Sequence, residues 1–136
     1  MKKIILAAFM AACGLQMSAQ QNLFVAQDLE SAIVNKDNTV TFNFKAPDAQ
    51  KVQIAGDFAE KAEGQHIGGM VGAGLIDMTK NSEGIWTYTT KPLDSELYSY
   101  EFMVDGVPTI DPNNVYVYRD FATTSNVFIV GNGKDR

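Results

Sequence analysis

Few side chains in this sequence could make or break covalent bonds, and they do not converge. His66 is the one histidine, set in a glycine-rich stretch, and Cys13 is the one cysteine. An ordinary zinc site needs several histidine, cysteine or carboxylate ligands, so it is ruled out. No Gly-x-Ser-x-Gly pentapeptide presents a serine nucleophile on a strained turn, and a lone His66 lacks the orienting partner that a general base requires. It reads as a solvated loop residue. Paired carboxylates serve glycoside hydrolysis, and Asp57, Asp77, Glu101, Asp105 and Asp111 are available. With 16 Asp plus Glu in the chain, chance pairs are common and the signal is weak. Asp105-Gly106 and Asp111-Pro112-Asn113-Asn114 are sufficiently explained as turns. No calcium-loop or phosphate-cradling glycine pattern occurs, so neither a cofactor nor an enzymatic activity is expected of the chain as it stands.

Aromatic side chains offer a different chemistry. A sugar is held in water by laying the apolar face of its ring on an exposed aromatic plane, with hydrogen bonds at its edge. Phe42, Phe44, Trp86, Tyr88, Tyr100 and Phe102 occupy the apolar phase of alternating segments, which assigns them to the core. Tyr116 and Tyr118 alternate with Val115 and Val117, so both phases there are apolar and one must face something other than the core. These two tyrosines are expected to form a sugar platform, a partner-domain contact or a packed sheet edge.

The elements that must position them read as β-strands. Thr39 to Lys45, Lys51 to Gly56, Leu75 to Thr79, Ile85 to Thr90, Leu97 to Val104, Val115 to Arg119 and Asn126 to Val130 are short, and most alternate between apolar and polar residues. The first two are expected to pair antiparallel, Leu75–Thr79 and Ile85–Thr90 to form a hairpin, and Asp105-Gly106 to close another. Six of the eleven glycines fall between Gly56 and Gly74, where a long exposed loop and a plausible place for function are expected. No segment after the N-terminal region has a sustained helical period. About seven strands with regular turn signals predict an all-β two-sheet sandwich spanning residues 38–130.

The N-terminal segment has the layout of a secretory signal: Lys2 and Lys3, an apolar run from Ile4 to Cys13, and small residues at Ser18 and Ala19. That run is about half the ~20 residues a membrane-spanning helix needs. Cleavage after Ala19 is expected, giving a secreted or periplasmic protein. In the alternative, Met10-Ala11-Ala12-Cys13 acts as a lipobox and the protein is lipid-anchored through Cys13. Residues 20–37 form a polar lead-in, and the glycine-rich stretch 131–136 looks like the start of a linker. The chain has 136 residues and a net charge of −5, which becomes −7 once Lys2 and Lys3 leave with the signal. Such an acidic chain is a poor partner for nucleic acid. Its 46% hydrophobic content excludes intrinsic disorder.

Val52-Gln53-Ile54-Ala55-Gly56-Asp57-Phe58, Gly84-Ile85-Trp86, Tyr98-Ser99-Tyr100-Glu101-Phe102-Met103-Val104-Asp105-Gly106, Asp111-Pro112 and Asn126-Val127-Phe128-Ile129-Val130 follow one another in an order that resembles family 48 carbohydrate-binding modules. The resemblance covers about residues 38 to 130 and implies an early-set immunoglobulin-like sandwich and α-glucan binding. The sequence departs from the glucan-binding pattern in three places. Ala59-Glu60-Lys61 follows Phe58 where the family has Asn-x-Trp, Val107-Pro108 follows Gly106 where a second tryptophan is common, and Glu101 stands where a lysine is expected. Pro92-Leu93, Glu96 to Tyr100, Asp111 to Tyr116 and Arg119-Asp120 are similar to the variant that precedes secreted Bacteroidetes esterases of the feruloyl type. The resemblance therefore implies an accessory module that binds xylan-type polysaccharide and partners an esterase catalytic domain. Its alternatives are a structural module docking a hydrolase domain, or an α-glucan (glycogen or starch) binder. The candidate carbohydrate contacts are Tyr116, Tyr118, Glu101 and Thr123.

Overall fold

The computed structural model describes residues 29–59, 66–67, 70–71 and 74–131. Among the described residues every regular element is a strand: β1 (Ile33–Val34), β2 (Val40–Lys45), β3 (Val52–Gly56), β4 (His66–Ile67), β5 (Met70–Val71), β6 (Gly74–Asp77), β7 (Thr79–Lys80), β8 (Ile85–Thr89), β9 (Leu97–Val104), β10 (Val107–Thr109), β11 (Val117–Arg119) and β12 (Thr124–Ile129). One antiparallel sheet runs β1-β2-β8-β7. The other runs β11-β12-β9-β3-β6, with β10 added beside the C-terminal half of β9. The two-sheet sandwich predicted from alternation is present, cut into more and shorter strands than seven. The apolar phases of β2 (Val40, Phe42, Phe44) and β9 (Tyr100, Phe102) are buried and meet ring to ring between the sheets, Phe42 on Tyr100 at 4.7 Å and Phe44 on Phe102 at 4.8 Å. Each such ring removed from water stabilises the fold by roughly 2–3 kcal/mol.

Two expected pairings differ. β2 and β3 lie in opposite sheets rather than side by side: β2 pairs with β8, and β3 with β6 and β9. Each strand has one wholly buried apolar phase, and two such faces are both covered only when they oppose each other across a core. The Pro47–Gln50 turn carries the chain across and is fastened by the Asp105 carboxylate, which accepts the backbone N–H groups of Gln50 (2.9 Å) and Lys51 (2.8 Å). Asp105 (φ 48°) and Gly106 (φ 82°) make the expected tight turn between β9 and β10. The segment from Leu75 to Thr79 also splits. β6 belongs to the six-stranded sheet, Met78 is buried at the crossing, and only β7 forms the hairpin with β8. The glycine-rich stretch falls largely outside the described residues; within it lies the short β4–β5 ladder.

A buried polar cluster holds the connection from β10 to β11 against the sandwich. The Tyr100 hydroxyl donates to Asp111 Oδ2 (2.7 Å) and accepts from Asn114 Nδ2 (3.1 Å). Asn126 Oδ1 accepts the Asp111 N–H (2.6 Å), and its Nδ2 donates to the carbonyl oxygens of Asn114 (3.0 Å) and Asp111 (3.3 Å). Asn114 then stands in for one rung of the next ladder, donating to the Val127 carbonyl and accepting the Tyr116 N–H. Tyr100, Asp111 and Asn126 are at most 2% exposed, so each bond is made where water cannot replace it.

On the outer face of the six-stranded sheet, Glu101 is 7% exposed beside a small apolar cluster of Ala55, Leu75 and Met103, and its Oε1 has no hydrogen-bond partner among the described residues. Burial pushes its carboxyl above the ordinary carboxylate range.

Two outcomes follow from this packing. Asn126→Ala strands the Asp111 N–H and is expected to lower the unfolding free energy by about 2–3 kcal/mol, seen as a lower urea midpoint at unchanged slope. A raised acid binds its proton more tightly when folded, so Glu101 favours the fold at low pH and progressively less as pH rises through the carboxylate range. Glu101→Gln should therefore raise the thermal midpoint at pH 8 and leave it nearly unchanged at pH 4. An equal shift at both pH values would show that the carboxylate is not ionised at a cost.

Candidate glycan-binding face

Side chains on a strand alternate, so the register of the six-stranded sheet decides which of the expected residues share a face. Asn126 is buried and pairs with both Tyr100 and Val117, which puts all three in the inward phase. Tyr118 pairs with Ser125, and Tyr116 lies against Val127 through the Val127 N–H bond to its carbonyl (3.0 Å). Both tyrosines therefore point outward, on the face that carries Ser125 and Glu101. They are 71% and 61% exposed, the exposure a ring platform requires. The buried cluster positions the first of them, because Tyr116 is held through its N–H to Asn114.

Glu101 shares this face but lies beneath its surface, and Oε1 is not accessible. Thr123 belongs to the turn between β11 and β12, where its N–H (2.6 Å) and hydroxyl (3.1 Å) both bond the Asp120 carboxylate. The Asp120 carboxyl is held below its ordinary range, first by the Ala122 N–H and then by Thr123. Of the four expected contacts, the structure thus brings Tyr116 and Tyr118 together as an exposed pair, with Glu101 packed under the same face and Thr123 engaged in the adjoining turn. Phe58 is turned inward and stacks on Phe42 (5.4 Å, 11°), while the Asp57 carboxylate accepts the Ser99 N–H and hydroxyl. Neither is a platform. The His66 side chain lies outside the described residues. Among those described, no group of three His, Cys, Asp or Glu converges as a metal site would require.

Three features were not read from the sequence. Asn114 and Asn126, which build the cluster under the face, are one. Asn126 shares the inward phase of Phe128 and Val130, and an asparagine in an apolar phase is the signal that could have found it. Another is a groove of about 530 Å³ on the open side of the sandwich, lined by Ala32, Val34, Leu97, Val115, Tyr116 and Ile129 among others. The third is Phe121, fully exposed at the tip of the β11–β12 turn, which no alternation pattern reaches.

No family model matches the chain, and no curated protein matches it either. Solved structures share its fold. Pullulanase from Bacillus acidopullulyticus superposes with a TM-score of 0.51 at 20% identity over 76% of this chain. Pullulanase type I from Bacillus subtilis, solved in complex with maltose, gives 0.51 at 16% identity over 74%, and the Group B Streptococcus pullulanase SAP gives 0.50 at 16% over 78%. The matched region is 12%, 13% and 15% of those chains, so this chain corresponds to one domain-sized piece of much larger enzymes. At these identities the likeness establishes the fold: an all-β, two-sheet sandwich of the kind found within pullulanases.

Proposed function

We propose that this chain is a non-catalytic accessory module of a secreted polysaccharide-degrading system, and that it binds α-glucan of the maltooligosaccharide type. The observation that carries the reading is the outward pair Tyr116 and Tyr118, two residues apart on a sheet edge in a fold that pullulanases also use. One of those pullulanases was solved with maltose, which moves α-glucan ahead of the xylan-type ligand expected from the esterase-like sequence variant. The module contributes local concentration of substrate rather than bond cleavage. Two tyrosines without a tryptophan platform support only weak binding, about millimolar for a short oligosaccharide, or ~4 kcal/mol.

A second reading, docking to a hydrolase domain, is favoured by one observation. The groove beside Tyr116 is bordered by exposed Val34, Leu97, Val115 and Ile129, more apolar surface than a sugar needs.

Affinity electrophoresis in gels with glycogen, arabinoxylan or no polysaccharide tests both. Retardation by glycogen is expected, and Tyr116→Ala and Tyr118→Ala should each weaken it at least about fivefold, the effect of losing ~1 kcal/mol of ring contact. Retardation by arabinoxylan alone would restore the xylan reading with its esterase partner, and none in either gel would favour docking.

A further inference from the structure

We propose that β11 pairs with β11 of a second copy of this chain across a two-fold axis at Val117, joining two six-stranded sheets into one continuous sheet. The ladder to β12 shows which backbone groups are free. The Val127 N–H bonds the Tyr116 carbonyl, the Asp120 N–H bonds the Thr123 carbonyl and Tyr118 pairs with Ser125 between them, so the even-numbered residues face β12 and its turn, the Tyr116 N–H being taken by Asn114 Oδ1. The odd-numbered Val115, Val117 and Arg119 then direct theirs to the open edge. Other strand edges are blunted in the usual ways: β10 carries Pro108, β7 Lys80 and β6 Asp77, and β1 is only two residues long, while the one charge on β11 is Arg119 at its end. From Val115 to Tyr118 there is neither charge nor proline, and all four side chains are at least half exposed.

The occupant follows from the register. With the axis at Val117, its N–H and carbonyl bond those of the partner's Val117, and Arg119 falls opposite the partner's Val115. The edge's only cation therefore does not meet itself. Tyr116 falls opposite the partner's Tyr118 on the outer face, so the pairing turns two tyrosines into a row of four across the seam. Cross-strand aromatic pairs of this kind are stabilising. In this last respect the proposal rests on the glycan reading; the pairing itself does not.

Sedimentation velocity over a wide concentration range, with two variants, tests it. Val117→Pro removes an N–H that points away from β12, and Val117→Lys sets like charges face to face on the axis; both leave the β12 ladder intact. The expected result is a concentration-dependent dimer in the unaltered protein, with a dissociation constant at least about tenfold higher in V117K and V117P at unchanged circular dichroism and thermal midpoint. A monomer at every concentration overturns the proposal, as does a dimer that persists in both variants. Glycogen retardation is read on the same proteins. Weaker retardation of the monomeric variants supports the four-tyrosine row, whereas equal retardation removes the row and leaves the dimer. A dimer lost in the variants with no retardation of any protein upholds the pairing and refutes the glycan reading.

Discussion

The hydrogen bond from the Tyr100 hydroxyl to Asp111 is the interaction on which the proposed glycan-binding face depends. Tyr100 is central to the core, packed against Phe42 and Phe102, and its hydroxyl is the point where that core reaches the connection leading to β11. A tyrosine there is hydrophobic along the ring and polar at its tip, so it must find a partner when buried. Burial, and after it the apposed Asp111 carboxylate, push the phenol well above its ordinary range, so it stays a donor throughout the physiological pH span. Asp111 is thereby fixed, Asn126 closes over it, and Asn114 is presented to the backbone of Tyr116 and Val127. An edge strand that makes few contacts of its own is held at a defined register by bonds made one layer below.

That arrangement separates stability from recognition. The Phe42, Phe44, Tyr100, Phe102 and Phe128 rings supply the packing, and each is at most 8% exposed. Tyr116, Tyr118 and Phe121 supply exposed aromatic surface and add little to the core. Substitutions at Tyr116 and Tyr118 are therefore expected to leave the sandwich folded and to act only on the proposed binding, whereas substitutions in the buried cluster should disturb both.

Much of the sandwich was legible because its strands alternate strictly. β2, β3, β8 and β9 were found within a residue or two, and the inward assignment of Phe42, Phe44, Trp86, Tyr100 and Phe102 holds. Which strands pair was not legible from β2 and β3, since alternation reports a buried face and not whether the neighbour lies beside it or across the core. That one phase of Val115 to Tyr118 faces away from the core was visible as apolar residues in both phases, but only the pairing with β12 shows that it is the tyrosine phase. The burial of Glu101 was not, because an isolated carboxylate in a polar phase gives no sign that Ala55, Leu75 and Met103 pack beside it. Thr123 and Asp120 form a turn whose hydrogen bonds depend on three-dimensional closure rather than on residue type.

The central claim is that the outward face of β11 and β12 is where glycan lies. A heteronuclear NMR titration of the purified protein with maltoheptaose and, separately, with a xylooligosaccharide of similar length tests this most directly. The account predicts that maltoheptaose shifts the amides of Tyr116, Tyr118 and Ser125 while those of the core strand β2 stay in place. Shifts confined to other surfaces, or a spectrum that no oligosaccharide changes at millimolar concentration, would contradict it.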